Sequence, residues 1–296
     1  MKIKSLYCSC NGRSDNPLTH YERTSSVPCT KLPAPRPALR ALLANQLGGS
    51  GVAKVKGALS PSRILGCPRE SIILDNYEIE GLDLLSGNSM LWGTAMHTLM
   101  EQHTLPGEYA EVTIPPEGCA PPVVCGVPMR GRIDALSPDF SEAVDYKFHG
   151  ELGYKSTLGK KDTEVQLSIY AHMLARIEGG RYPDENIAWH GAMTSAGVAP
   201  YRPDVAELLS EEEILAHKPK NGNFAVADII EEYRNYDDKI AAGIPMDTAV
   251  GTLKLVGRKM MNGKKCERYC AAKVLCDGFE ARFPQEGFDG DEDYDG

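Results

Sequence analysis

No stretch of this 296-residue chain approaches the roughly 18 uninterrupted apolar residues that a membrane span needs. The two lysines near the start are followed by no apolar core, so neither a secretory leader nor a membrane partner is expected, and a cytoplasmic location is. An even, closely spaced cysteine framework is also missing. The nine cysteines are an odd number spread over a long chain, which points to ligand thiols or small buried residues rather than structural disulfides. A positive balance is lacking too. The net charge is −9, which does not suit a protein that coats long duplex nucleic acid. No internal repeat is present.

The charge that is there is unevenly placed. Residues 1–59 carry nine Lys/Arg against two Asp/Glu, residues 286–296 carry six acids and no base, and the stretch between them is net −10. An acidic body is compatible with a local basic groove and with carboxylates gathered around a cation. Composition otherwise fits one sizeable soluble core, with 42% hydrophobic and 25% charged residues. Residues 1–58 are punctuated by Pro and Gly and read as a basic extension, with one short helix near 37–47. The folded domain is expected over 59–282, and an acidic disordered tail over 283–296.

Within that domain Ser60 and Pro61 are placed to cap and start a helix. Further helices are expected at 90–103, 162–178, 210–217 and 225–242, and strands at 109–114, 123–127, 129–148 (as a hairpin) and 186–193. Such a mixture predicts an α/β fold with a central mixed sheet flanked by helices.

The most informative segment is GRIDALSPDFSEAVDYKF, residues 131–148. Ser-Pro-Asp-Phe marks a turn. If residues 138–141 form the loop, Ser137 faces Glu142 and Asp134 falls opposite Asp145. Like charges directly across a ladder repel unless a cation lies between them. Strand alternation puts Lys147 on the face of Asp145. Two carboxylates and an ammonium at one spot suit metal-assisted phosphodiester hydrolysis, with Mg²⁺ or Mn²⁺ on hard oxygen ligands. On spacing alone a solvated charged hairpin face is equally consistent.

Asp134 followed by Asp145-Tyr146-Lys147 resembles the signature of the PD-(D/E)XK nuclease superfamily. GTAMH, with Gly93 one turn before His97, and QLSIY, with Gln166 and Tyr170 at i and i+4, resemble two further motifs of its RecB-like branch. The resemblance implies a restriction-endonuclease-like core and a metal held by His97, Asp134, Asp145 and the Tyr146 carbonyl. Lys147 would be catalytic, with Gln166 and Tyr170 positioning it. It also implies a DNA exonuclease on single strands or duplex ends, cutting 5′ to 3′. A structure-selective endonuclease and a non-catalytic DNA-end-binding subunit stay open. Protein partners in recombination, phage DNA processing or CRISPR adaptation belong to the same resemblance.

Near the C-terminus Cys266 and Cys270 stand one helical turn apart, with Cys276 six residues on. S-P-S-R followed by Cys67-Pro-Arg resembles the start of RecB-like nucleases that carry an iron–sulfur cluster. That likeness implies a 4Fe-4S clasp held by Cys67, Cys266, Cys270 and Cys276. Spacing alone leaves tetrahedral Zn²⁺ open. Cys8, Cys10 and Cys29, with His20, are either a small zinc site or incidental thiols of the arm. Arg132, Lys155, Lys160 and Lys161 are candidate phosphate contacts, against the plainer reading of solvated charges. Glu111 is a candidate auxiliary carboxylate.

Overall fold

A computed structural model describes residues 2–3, 6–7, 57–79, 82–83, 109–149, 160–194, 197–198, 202–219, 224–253, 270 and 272–283. The expected helices at 37–47 and 90–103 lie outside the described residues.

The chain order is β1 (Lys2–Ile3), β2 (Leu6–Tyr7), α1 (Pro68–Asn76), β3 (Glu78–Ile79), β4 (Leu82–Asp83), β5 (Tyr109–Ile114), β6 (Val123–Val124), β7 (Val127–Pro128), β8 (Gly131–Leu136) and β9 (Glu142–His149). Then follow α2 (Lys160–Leu174), β10 (Glu185–Thr194), β11 (Gly197–Val198), β12 (Arg202–Ala206), α3 (Glu211–Ala216), α4 (Val226–Ala241), α5 (Met246–Gly251) and α6 (Lys273–Arg282). The central sheet runs β11-β10-β9-β8-β5, with β12 also on β10. β9 and β10 are parallel, joined across α2, and the other pairs of this sheet are antiparallel. Short parallel pairs β1–β3 and β2–β4 stand apart from it. This is the mixed α/β architecture that the sequence predicts.

Local chemistry explains where elements start and stop. The first helix begins at Pro68, later than the expected Ser60–Pro61. Residues 61–65 instead form turns, with the Arg63 and Ile64 amides on the Ser60 carbonyl. A proline disfavours helical backbone in the residue before it, so Cys67 stays extended (φ −79, ψ 118) and becomes the N-cap. The strand expected at 123–127 is instead the tight hairpin β6–β7, turned by Cys125 (φ 54) and Gly126 (φ 72). α2 ends at Leu174, four residues early, in looser turns that close at Gly179 (φ 71). Ser210 and Glu213 cap α3 reciprocally.

One large core forms where α2 and the other helices meet the sheet. Val165, Ile169 and Met173 of α2 pack with Ile114, Met129, Ile133 and Leu136 of the sheet side. On α4, Val226, Ile229, Ile230 and Tyr233 recur at helical spacing and bury one stripe. Ile72 and Ile73 of α1, Val250 of α5 and Phe279 of α6 complete the same cluster. Each such buried aliphatic side chain contributes about 2 kcal/mol of transfer free energy. Ala135, Val144, Ile187 and Tyr146 pack separately.

Candidate active site

The hairpin folds in the register read from its turn. Ala135 pairs with Val144, Leu136 with Ala143, and the Ser137 amide donates to the Glu142 carbonyl at 3.0 Å. The Ser141 amide and hydroxyl and Ser137 hold the exposed Asp139 carboxyl down at about 2, which keeps the turn's acceptor ionised. Continuing the register places Asp134 opposite Asp145. There the backbone ladder gives way to a side-chain contact. The Tyr146 amide donates to Asp134 Oδ2 at 2.7 Å.

Asp145 is 4% exposed. Its Oδ2 lies 2.6 Å from Lys147 Nζ. Lys147 also donates to Gln166 Oε1 at 3.0 Å, and Gln166 Nε2 donates back to Asp145 Oδ1 at 3.2 Å. Carboxylate, ammonium and amide thus close a triangle, which fixes both ends of the Gln166 amide. β9 supplies two of its corners and α2 the third. One turn along α2, Tyr170 is buried, and its hydroxyl lies beside the Gln166 side chain and the Arg132 backbone. Burial, with Asp145 and Asp134 adding to it, pushes the Tyr170 phenol far above its ordinary value, so it is a neutral hydroxyl at any working pH.

The sequence model of the PD-(D/E)XK nuclease superfamily matches residues 108–277, a span that contains this whole arrangement. The chain belongs to that superfamily. Among solved structures, the crystal structure of SSO0001 is similar over 81% of this chain and 94% of its own, at 17% identity and a TM-score of 0.44. No curated protein matches the sequence.

Membership in the PD-(D/E)XK superfamily supports a metal-dependent nuclease acting on DNA, and the donors in place suit a hard divalent ion. Asp134 and Asp145 offer carboxylate oxygens and Tyr146 a main-chain carbonyl. Among the described residues no third His, Cys, Asp or Glu side chain joins such a group. Mg²⁺ and Mn²⁺ tolerate this, because one or two carboxylates hold them while water and substrate phosphate complete the shell.

The remaining candidates separate. His97, Lys155 and Cys266 lie outside the described residues, as do Cys8, Cys10, His20 and Cys29. Arg132 forms an ion pair with Glu111, the next strand's residue in register with Asp134. Glu111 adopts left-handed backbone (φ 53), which interrupts the β5–β8 ladder at that point. Lys160 opens α2, and Lys161 is exposed and 3.5 Å from Glu164. Among the described residues no helix is long and apolar enough to cross a membrane.

Cys67, Cys270 and Cys276 all pack against the large core, and α1 lies on α6. These three described thiols do not by themselves make a metal-holding group. Burial pushes the Cys276 thiol up, against the lowering pull of Arg69. Arg69 appears in the sequence reading only within Cys67-Pro-Arg, with no role of its own. It is fully buried, donating to the carbonyls of Gly251 (2.8 Å) and Leu253 and lying 3.9 Å from Cys276 Sγ. Its one sequence signal was adjacency to Cys67-Pro68.

Proposed function

We propose that this nuclease is a RecB-like DNA exonuclease that degrades single strands or duplex ends, 5′ to 3′, with His97 joining Asp134 and Asp145 as a metal ligand. The observation that carries the reading is the closed triangle of Asp145, Lys147 and Gln166 facing Asp134. It unites the D-x-K and Q-x-x-x-Y elements that define the resemblance.

A bound Mg²⁺ or Mn²⁺ supplies an acidified water and polarises the phosphate. The chain's own groups do the rest. Asp134 and Asp145 hold negative charge where a cation and a phosphate oxygen must meet. Lys147 is a donor, not a base, while it is paired with Asp145, so it orients the attacking water and stabilises negative charge developing on the phosphoryl oxygens. Gln166 fixes the lysine's direction. The water gives up a proton to solvent as its oxygen bonds to phosphorus, the bond from phosphorus to the leaving deoxyribose oxygen breaks, and that oxygen takes a proton back from solvent.

At the other end of the domain, Cys67, Cys266, Cys270 and Cys276 hold a 4Fe-4S cluster that pins the early helix to the late one. The packing of α1 on α6 supports this placement. Zinc in the same thiolates is the outcome that metal analysis of anaerobically purified protein would distinguish.

The decisive assay follows end-labelled linear and closed circular DNA with Mn²⁺ or Mg²⁺. Release of labelled mononucleotides or short oligonucleotides from linear DNA, with circles untouched, is expected. Cutting of circles would instead identify an endonuclease, and no cutting of either would identify a binding subunit.

A further inference from the structure

The back wall of the centre rests on a glycine. Gly131 opens β8 and is buried opposite Ile114 of β5. A Cβ built on it would stand 2.6 Å from Tyr170 Cε1 and 3.1 Å from Pro61 Cδ. No real side chain tolerates the first contact, so the Tyr170 ring and the Pro61 ring occupy the space that any other residue would fill. Pro61 is held there by its own backbone neighbours. The Leu59 amide donates to Pro128 O at 2.9 Å, and the Arg130 amide donates to Leu59 O at 2.8 Å. Residues 59–61 lie ahead of the family-matched span, yet they reach the back of its site.

The contacts form a chain inward. Tyr170 is 5% exposed, and its hydroxyl lies beside the Gln166 side chain and the Arg132 backbone. Gln166 in turn holds Lys147 at 3.0 Å and Asp145 at 3.2 Å. A displaced Tyr170 ring therefore presses on the Gln166 side chain one turn before it on α2.

We propose that Gly131 and Pro61 are positioning residues for phosphodiester hydrolysis. They set the depth of the Tyr170 ring and, through Gln166, the direction of the Lys147 ammonium. The inference rests on the nuclease reading above. Misplacement of a reacting group by about 1 Å costs on the order of a hundredfold in rate, without loss of substrate binding.

The test compares kcat and KM for linear DNA in the full-length protein and in Gly131→Ala, Tyr170→Leu and the double variant. Gly131→Ala is expected to lower kcat by about 10- to 100-fold, leaving KM within about twofold. In the Tyr170→Leu background, where the ring is gone, Gly131→Ala is expected to change kcat by less than about twofold. Undiminished kcat in Gly131→Ala would overturn the proposal, as would losses that multiply in the double variant. If Gly131→Ala does not fold, Pro61→Ala takes its place. It should lower kcat in the Tyr170 protein and leave Tyr170→Leu unchanged, and equal losses in both backgrounds would overturn the proposal. Absence of cutting by the unmodified protein would sink the nuclease reading itself, an outcome distinct from a cutting enzyme indifferent to Gly131.

Discussion

The centre on β8, β9 and α2 and the helical corner formed by α1, α5 and α6 both bury charge, and they do it in opposite ways. At the centre, charges face charges. Asp145, Lys147 and Gln166 answer one another within 2.6–3.2 Å, and Asp134 adds a second acid, held by the Tyr146 amide, across the ladder from Asp145. At the corner a single guanidinium is buried against neutral partners, with Arg69 reaching two carbonyls and the Cys276 sulfur. Repelling acids at the centre fit the metal-dependent chemistry proposed there. A buried cation on backbone carbonyls is retained where distant segments must be joined. Damage should therefore fall on rate in one region and on stability in the other.

The largest expected effect tests the first half of that contrast. Asp145→Asn keeps the shape of the side chain and removes its charge. It should lower kcat on linear DNA by roughly a thousandfold or more, equivalent to about 4 kcal/mol of lost transition-state stabilisation. Stability should hold, because relief of repulsion from Asp134 offsets the lost Lys147 pair. Urea unfolding measured beside kcat decides it. A variant that loses activity only in proportion to lost folded protein would erase the distinction.

Arg69→Met comes next and should show the reverse. It removes the buried donor that serves the Gly251 and Leu253 carbonyls, and the loss of a buried acceptor's partner costs about 1–3 kcal/mol. A loss of about 3 kcal/mol in urea unfolding is expected. The kcat of the folded fraction at low temperature should stay within about twofold. A large fall in kcat with unchanged stability would show that the corner acts on the chemistry.

The two regions also differ in how far the sequence disclosed them. The acids, the lysine and the Gln-x-x-x-Tyr pair lie between Asp134 and Tyr170, on one hairpin and the helix after it. Period two and a turn signal brought the two acids and the lysine together, and the family resemblance added the Gln166–Tyr170 pair at i and i+4. The corner joins Arg69 to Gly251 and Cys276, partners separated by 182 and 207 residues. No local periodicity encodes such a pairing, and a buried arginine looks like any other charge in a polar stretch. Helix boundaries failed where one residue outweighed the pattern, as Pro68 did at α1. The strand Arg202–Ala206 and the short helix Met246–Gly251 were not foreseen, because their neighbours, not their own patterns, select their conformation. Gly131 stood in view within GRIDAL, yet only the Tyr170 ring above it gives it a role.

The smallest expected effect separates the corner's buried tie from its surface ones. Tyr77 donates to Asp247 Oδ1 at 2.7 Å and Arg282 donates to Oδ2 at 3.0 Å, linking α1, α5 and α6 at the solvent edge. These two donors hold the Asp247 carboxyl below the ordinary carboxylate range. A depressed folded value stabilises the protein above the unfolded pKa of about 3.9, and that contribution is lost as pH falls through the folded value. Asp247→Asn should therefore melt lower than the unmodified protein by about 1–2 °C at pH 7, as expected for an exposed pair. The gap should narrow below about pH 4 and be constant between pH 5 and 8. High salt should shrink it as well, since the pair is open to screening, whereas the Arg69→Met deficit should persist. A gap that ignores both acid and salt would mean that Asp247 acts by packing, and the line between buried and exposed ties at this corner would have to be redrawn.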